Sequence, residues 1–259
     1  LTGRGPETAT VVGREVRRAF IAPEGKQLLA VDYSQIELRV MAHISGDPTL
    51  LNAFAEGQDI HAATAATVNN VPIDEVSYEM RSFAKRVNFG LMYGMGAFRL
   101  SRDSDLTLAE ADAFIKTYFE RFPQVKVYMD DIEEQAKAGT LSTLFGRKRN
   151  FAALQNARSS RRAQQAELRA AINMPIQGTA ADIMKRAMID LHNELVKRDN
   201  GVLMTLQVHD ELVLEVPEEL IEETTKLVVD VMENAYELDA PLKANAEVGQ
   251  NWRDMDSVI

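Results

Sequence analysis

Cysteine is missing from all 259 residues. That excludes disulfides and thiolate metal centres, and it suits a reducing compartment. Long apolar runs are missing too: no stretch of about eighteen uncharged apolar residues occurs, so no membrane-spanning helix is expected. The opening segment, LTGRGPETAT, lacks the hydrophobic region of a signal peptide. Internal repeats, low-complexity tracts and long flexible linkers are also lacking. Positive charge is in short supply. Against 39 Asp and Glu there are 29 Lys and Arg, a net charge of -10, which argues against simple electrostatic capture of nucleic acid. What is plentiful is apolar residues, 46% of the chain, enough for one large domain or two modest ones. The composition points to a soluble intracellular protein.

The scarce cations are not spread evenly. Residues 81–102 carry Arg81, Lys85, Arg86, Arg99 and Arg102 with no acid among them. Residues 141–169 carry Arg147, Lys148, Arg149, Arg158, Arg161, Arg162 and Arg169 against the single acid Glu167. Such islands are either solvated faces or contacts for an anionic partner, and charge alone does not choose.

Apolar patterning predicts an α+β chain. Leu28 to Val31 reads as a buried strand, and 34–44 as a helix through Ile36, Val40 and Ile44. Helices are expected near 49–56, over 74–91 up to Gly94, from the Thr107/Glu110 capping box to Arg121, and from Pro123 to Gly139. Residues 141–162 read as loop and hairpin, followed by a helix carrying Arg169 that Pro175 must distort or end. Thr179 to Arg198 forms a strong amphipathic helix. Two strands, 202–208 and 212–216, join tightly through His209-Asp210-Glu211, and a last helix spans 218–236.

Four segments carry chemistry. In VDYSQIELR (31–39), Asp32 ends an apolar strand, where a carboxylate is expensive unless solvated, paired or metal-bound; it also suits a helix N-cap. In QVHDELVLEV (207–216), His209, Asp210 and Glu211 interrupt an apolar hairpin without the turn advantage of Asn-Gly or Asp-Gly. They form either a solvated tip or, with Asp32, the carboxylate pair that magnesium prefers to a full protein cage. In RSFAKRVNFGLMYG (81–94), Arg81, Lys85, Phe89 and Tyr93 recur every four residues along one drifting helix face. Two cations followed by two aromatics suit a triphosphate with its base or sugar, or simply a basic rim beside a core anchor. In RAAINMPIQGTAAD (169–182), Arg169, Asn173 and Gln177 repeat at the same spacing. They make an exposed polar stripe, with side chains of the kind that read base edges and hold nucleic-acid backbones.

Together and in this order, these segments resemble the polymerase module of family A DNA polymerases: motif A at 31–39, motif B at 81–94 and motif C at QVHDE. The likeness continues through FAEGQDIHAATA (54–65) and INMPIQGTAADIMKRAM (172–188), from about Gly13 to the end. It implies a palm with a small antiparallel sheet, formed by 1–46 and 166–259, and a mainly helical fingers subdomain at 47–165. It also implies template-dependent addition of dNTPs to a primer 3′-hydroxyl, in replication and repair. Two Mg²⁺ ions, replaceable by Mn²⁺, would be held by Asp32, Asp210 and the Tyr33 carbonyl, with Glu211 nearby. Arg81, Lys85 and His61 correspond to triphosphate contacts, with Lys85 also a proton donor to pyrophosphate. Phe89 corresponds to a sugar and base contact that disfavours dideoxynucleotides, and Tyr93 to a neighbour of the templating position. Glu37, helped by Gln35, corresponds to the side chain that blocks a ribose 2′-hydroxyl. His209, Arg169, Asn173, Gln177 and Arg4 correspond to primer and template contacts.

The family likeness also implies a monomer on primer–template DNA, without membrane contact, in the bacterial cytoplasm at the nucleoid. After Thr2-Gly3-Arg4 the family's SS…PNLQN segment is missing, and the upstream thumb and exonuclease region are expected to be absent from this chain. Two rivals stay open at this level. One is a templated RNA polymerase, against which Glu37 and Phe89 argue. The other is a fragment that binds DNA without extending it.

Overall fold

The structure, a computed structural model, describes residues 15–258 apart from 70 and 105. Arg4 lies outside the described residues. The chain divides into two compact units, Leu1–Ile36 with Ala181–Glu237 and Leu242–Ile259, and Glu37–Ala180 with Leu238–Pro241. Among the described residues, no helix is long and apolar enough to cross a membrane. The fold class is α+β, as the sequence indicates.

The first unit is organised by one antiparallel sheet. Its strands are β1 (Lys26–Tyr33), β4 (Leu203–Val208), β5 (Glu211–Pro217), β6 (Ala244–Gly249) and β7 (Asp256–Ser257), in the order β4-β5-β1-β6-β7. β1 takes the centre because it is apolar on both faces. Leu28, Leu29, Ala30, Val31 and Tyr33 are all buried. Successive side chains alternate between faces, so Leu29, Val31 and Tyr33 share one face and Leu28, Ala30 and Asp32 the other. The first face packs on helix α10 (Ile221–Glu233), where the Tyr33 hydroxyl donates to the Met232 carbonyl at 2.7 Å. The second face is closed by Trp252, which clusters with Leu28, Ala30 and Val213.

The second unit is mainly helical. In chain order it holds α1 (Ile36–Ser45), α2 (Pro48–Ala55), α3 (Ile60–Asn69), α4 (Tyr78–Met92), α5 (Ala97–Arg102), α6 (Leu108–Arg121) and α7 (Pro123–Ala138). A hairpin of β2 (Thr140–Ser142) and β3 (Lys148–Asn150) follows, then α8 (Ala152–Gln155) and α9 (Arg161–Arg198), whose residues from Ala181 on belong to the first unit. Two expected signals are present: Thr107 and Glu110 form a full capping box, and Gly94, at φ +72°, turns the chain where α4 ends.

Three expectations are corrected. Of the two outcomes expected at Pro175, a distortion or an end, the end does not occur: α9 runs unbroken for 38 residues. An internal proline costs about 3 kcal/mol. It is outweighed here by a continuous apolar stripe, since Ala171, Ile172, Met174, Ile176, Ala180, Ile183, Met184, Ala187 and Leu191 are all buried. The helix expected from 74 begins only at Tyr78, because Ser77 accepts from the Met80 amide and Ile73–Glu75 forms a separate 3₁₀ turn. The last helix likewise gives up its first turn to a 3₁₀ segment, Glu218–Leu220.

Candidate functional site

In the first unit the acids gather at one end of the sheet. Asp32 lies opposite Glu211 of β5 and Asn245 of β6. The β4–β5 turn consists of His209 and Asp210, and the Asp210 carbonyl accepts the Tyr33 amide at 3.0 Å. That bond fixes Asp210 beside the end of β1. His209 takes the positive φ (+57°) that a tight turn needs, a conformation costly for a non-glycine residue and typical of functional sites. Gln35 is strained in the same way at φ +56°, and its Oε1 is buried without a partner.

Charge crowding shows in the acidity of Asp32. Its pKa is pushed up to about 6, first by burial and then by Asp210, Glu211 and Glu247. Burial and three like charges oppose ionisation, so a cation is the missing complement. Among the described residues, no group of three or more His, Cys, Asp or Glu side chains is placed to hold a metal. Two carboxylates suit an ion that takes its other ligands from water and phosphate, as magnesium does.

Glu211 behaves differently from its neighbours. Its carboxylate accepts the Trp252 indole N–H at 2.7 Å and lies 3.6 Å from Arg17, whose guanidinium sits 4.2 Å above the Trp252 ring. Trp252, Arg17 and Glu247 were not singled out in the sequence. Nothing in local spacing ties residues 17 or 252 to 211.

Asp32 also gives a pH prediction. Its folded-state pKa lies above the ordinary aspartate value of 3.8, so its favourable contribution is full below about 3.8 and is lost as pH rises through about 6. Above that, ionised Asp32 burdens the metal-free protein. Asp32→Asn is therefore expected to raise the metal-free melting temperature at pH 8 while abolishing Mg²⁺-dependent activity. A ¹³C-carboxyl titration should place Asp32 near 6 without metal and clearly lower with Mg²⁺. An unchanged midpoint on adding Mg²⁺ would remove Asp32 from the metal site.

In the second unit, α3 and α4 bring the motif B residues together. Phe89 lies between two rings, with its centroid 5.7 Å from His61 and 6.3 Å from Tyr93. The Tyr93 hydroxyl donates to the Glu37 carboxylate of α1, so Tyr93 and Glu37 form one assembly. Lys85 is exposed, and Arg81 pairs with Asp59. Asp59 is half-buried, which alone raises its pKa. The Arg81 hydrogen bond and charge, with the His61 and Ala62 amides that cap α3, bring it net below the ordinary value. His61 is 1% exposed, and burial foremost, then the Lys85 and Arg81 charges against that of Asp59, holds it neutral with a pKa of about 4.

Arg169 and Gln177 are exposed on α9, while Asn173 is half-buried with Oδ1 lacking a partner. His209 is exposed at the turn. Asp59 and Asn88 complete the α3–α4 assembly and were not anticipated. A signal for Asn88 did exist. It falls on the buried stripe of Ala84, Val87 and Leu91, where a polar residue needs a reason.

The chain belongs to DNA polymerase family A, whose profile matches residues 6–254. It is 50% identical over 244 residues to "DNA polymerase I, thermostable" of Thermus filiformis, covering 94% of this chain and 29% of that protein. To DNA polymerase I of Pseudomonas aeruginosa it is 48% identical, covering 94% of this chain and 26% of that one. It also resembles the POL domain of Pol1 from M. smegmatis, solved in complex with DNA primer-template and dNTP. There the TM-score is 0.90 at 41% identity, over 98% of this chain and 44% of that one. The chain thus spans under a third of the length of these curated relatives.

Proposed function

We propose that this chain is the catalytic part of a DNA-directed DNA polymerase that adds dNTPs to a primer 3′-hydroxyl under template direction and releases pyrophosphate. The observation that carries the reading is Asp32 held beside Asp210 at the tip of a family A sheet, with its acidity suppressed by that crowding. Asp32, Asp210 and the Tyr33 carbonyl would hold two Mg²⁺ ions, with Mn²⁺ a substitute. When bound, these ions lower the pKa of the attacking hydroxyl and neutralise triphosphate charge.

The remaining roles belong to side chains. Arg81 and Lys85 grip the triphosphate, and Lys85 donates a proton to the departing pyrophosphate. Phe89 packs on the incoming sugar and base, and Tyr93 holds Glu37 where a ribose 2′-hydroxyl would need space, with Gln35 in support. Arg169, Asn173, Gln177 and His209 contact primer and template. In this reading 1–46 and 166–259 act as palm and 47–165 as fingers. The protein works as a monomer on DNA in the bacterial cytoplasm, at the nucleoid. Bacterial relatives named DNA polymerase I, of Thermus filiformis and Pseudomonas aeruginosa among others, support that setting.

Primer extension with Mg²⁺, using the full-length protein, tests the proposal. Template-directed dNTP addition is expected, with ribonucleotides disfavoured, and Glu37→Ala should raise relative ribonucleotide use by about tenfold or more, the scale of one lost specific contact. No template-directed extension, or ribonucleotides used as readily as dNTPs, would sink it.

A further inference from the structure

Behind His61, already matched to a triphosphate contact, α3 and α4 bury two polar residues that the roles above do not use, Thr64 and Asn88. The relay they form with it starts from the threonine hydroxyl. The Ile60 carbonyl accepts the Thr64 hydroxyl at 2.8 Å. The hydroxyl proton is thereby committed, so Thr64 Oγ1 is left to accept. Asn88 Nδ2 lies 3.1 Å from that oxygen and 3.0 Å from His61 Nδ1. An amide nitrogen only donates, and its two hydrogens match these two acceptors. In this orientation Asn88 Oδ1 is buried without a partner, and turning the amide over would draw the Thr64 proton away from the Ile60 carbonyl. His61 Nδ1 therefore accepts, and the ring proton sits on Nε2.

That Nε2–H is buried and has no partner. Asn88, His61 and Thr64 are 0%, 1% and 3% exposed, so the relay cannot rearrange through solvent. A buried donor left without an acceptor costs stability unless a ligand supplies one. With Nε2 deprotonated, the ring would turn a lone pair on an anionic oxygen instead.

We infer that Asn88 is a positioning residue: anchored by Thr64, it holds His61 as an Nε2–H donor to a phosphate oxygen of the incoming nucleotide. The inference rests on the polymerase reading. It adds that two residues touching no substrate, Asn88 and Thr64, set nucleotide affinity through the tautomer of a third.

The test uses ¹⁵N-histidine spectra and steady-state primer extension on the full-length protein. Unsubstituted His61, assigned by its loss in His61→Gln, should show the Nε2–H tautomer alone. Asn88→Ala and Thr64→Val should mix the tautomers and raise the dNTP KM about tenfold, the scale of one net hydrogen bond, with a smaller change in kcat. Thr64→Ser, which keeps the hydroxyl, should restore both. In a His61→Ala background neither substitution should raise KM further. An Nδ1–H tautomer in the unsubstituted protein overturns the inference. So does an equal KM penalty with and without His61, which would mark Asn88 as merely structural. If the unsubstituted protein extends no primer, the polymerase reading fails and takes the nucleotide with it. The spectra still decide separately whether Asn88 sets the ring.

Discussion

Asp210→Ala is expected to slow primer extension by about 10²–10³-fold or more, the scale for losing one preorganised electrostatic group. The fold should survive the change. Asp210 is tied into the sheet by its backbone, the carbonyl accepting the Tyr33 amide at 3.0 Å, and alanine keeps that carbonyl. The side chain is moreover an electrostatic burden. After burial, the Asp210 charge is the largest cause of the raised pKa of Asp32. Removing it should therefore lower the Asp32 pKa and leave the metal-free melting temperature equal or higher at neutral pH. A variant that is folded, at least as stable and nearly inactive in single-turnover extension is the signature expected of a metal-binding acid. A loss of activity that follows a loss of stability would instead mark Asp210 as a structural turn residue. Near-normal extension by the folded variant would remove it from the reaction.

Legibility in the sequence followed contact range. Motifs A, B and C were readable because each packs its residues into fewer than fifteen positions, and the helical spacing of Arg81, Lys85 and Phe89 survives in α4, with Tyr93 as its C-cap. The caps were readable for the same reason, since Thr107 and Glu110 need only each other. β6 was not read as a strand. Its inward residues are Ala244, Ala246 and Val248, and two alanines give little hydrophobic alternation. Only pairing with β1, more than 200 residues earlier, makes ANAEVG a strand. The continuity of α9 was hidden because local rules assign Pro175 its cost without the burial that outweighs it. The hold of Trp252 and Arg17 on Glu211, and of Asp59 on Arg81, join residues 22 or more positions apart, and no spacing rule reaches them.

The largest stability effect is expected at a residue outside the chemistry, Asp47. It is fully buried, and its two carboxylate oxygens serve different helices. Oδ1 accepts the Thr49 and Leu50 amides at 3.0 and 3.2 Å, capping α2, while Oδ2 accepts the Gln124 amide at 3.1 Å, at the start of α7. Both helices open with proline, Pro48 and Pro123, which sets φ for the first turn but leaves the following amides in need of acceptors. One side chain thus satisfies the N-termini of two helices 77 residues apart. Asp47→Ala loses an N-cap, about 0.5–2 kcal/mol. It also removes the acceptor of the part-buried Gln124 N–H, about 0.5–1.5 kcal/mol for one net hydrogen bond. The sum, roughly 1–3.5 kcal/mol, corresponds to a melting temperature lower by about 3–12 °C for a protein of this size. Asp47→Ser should recover the α2 cap but not the reach to Gln124, and so about half the loss. Asp47→Asn keeps one oxygen but turns an amide N–H₂ on one of the two partners, so it too should fall short of the native protein. Thermal and denaturant unfolding of the three variants should therefore rank them alanine lowest, with serine and asparagine between it and the native chain. If alanine costs less than about 1 kcal/mol, a typical single cap, Asp47 holds one helix and not two.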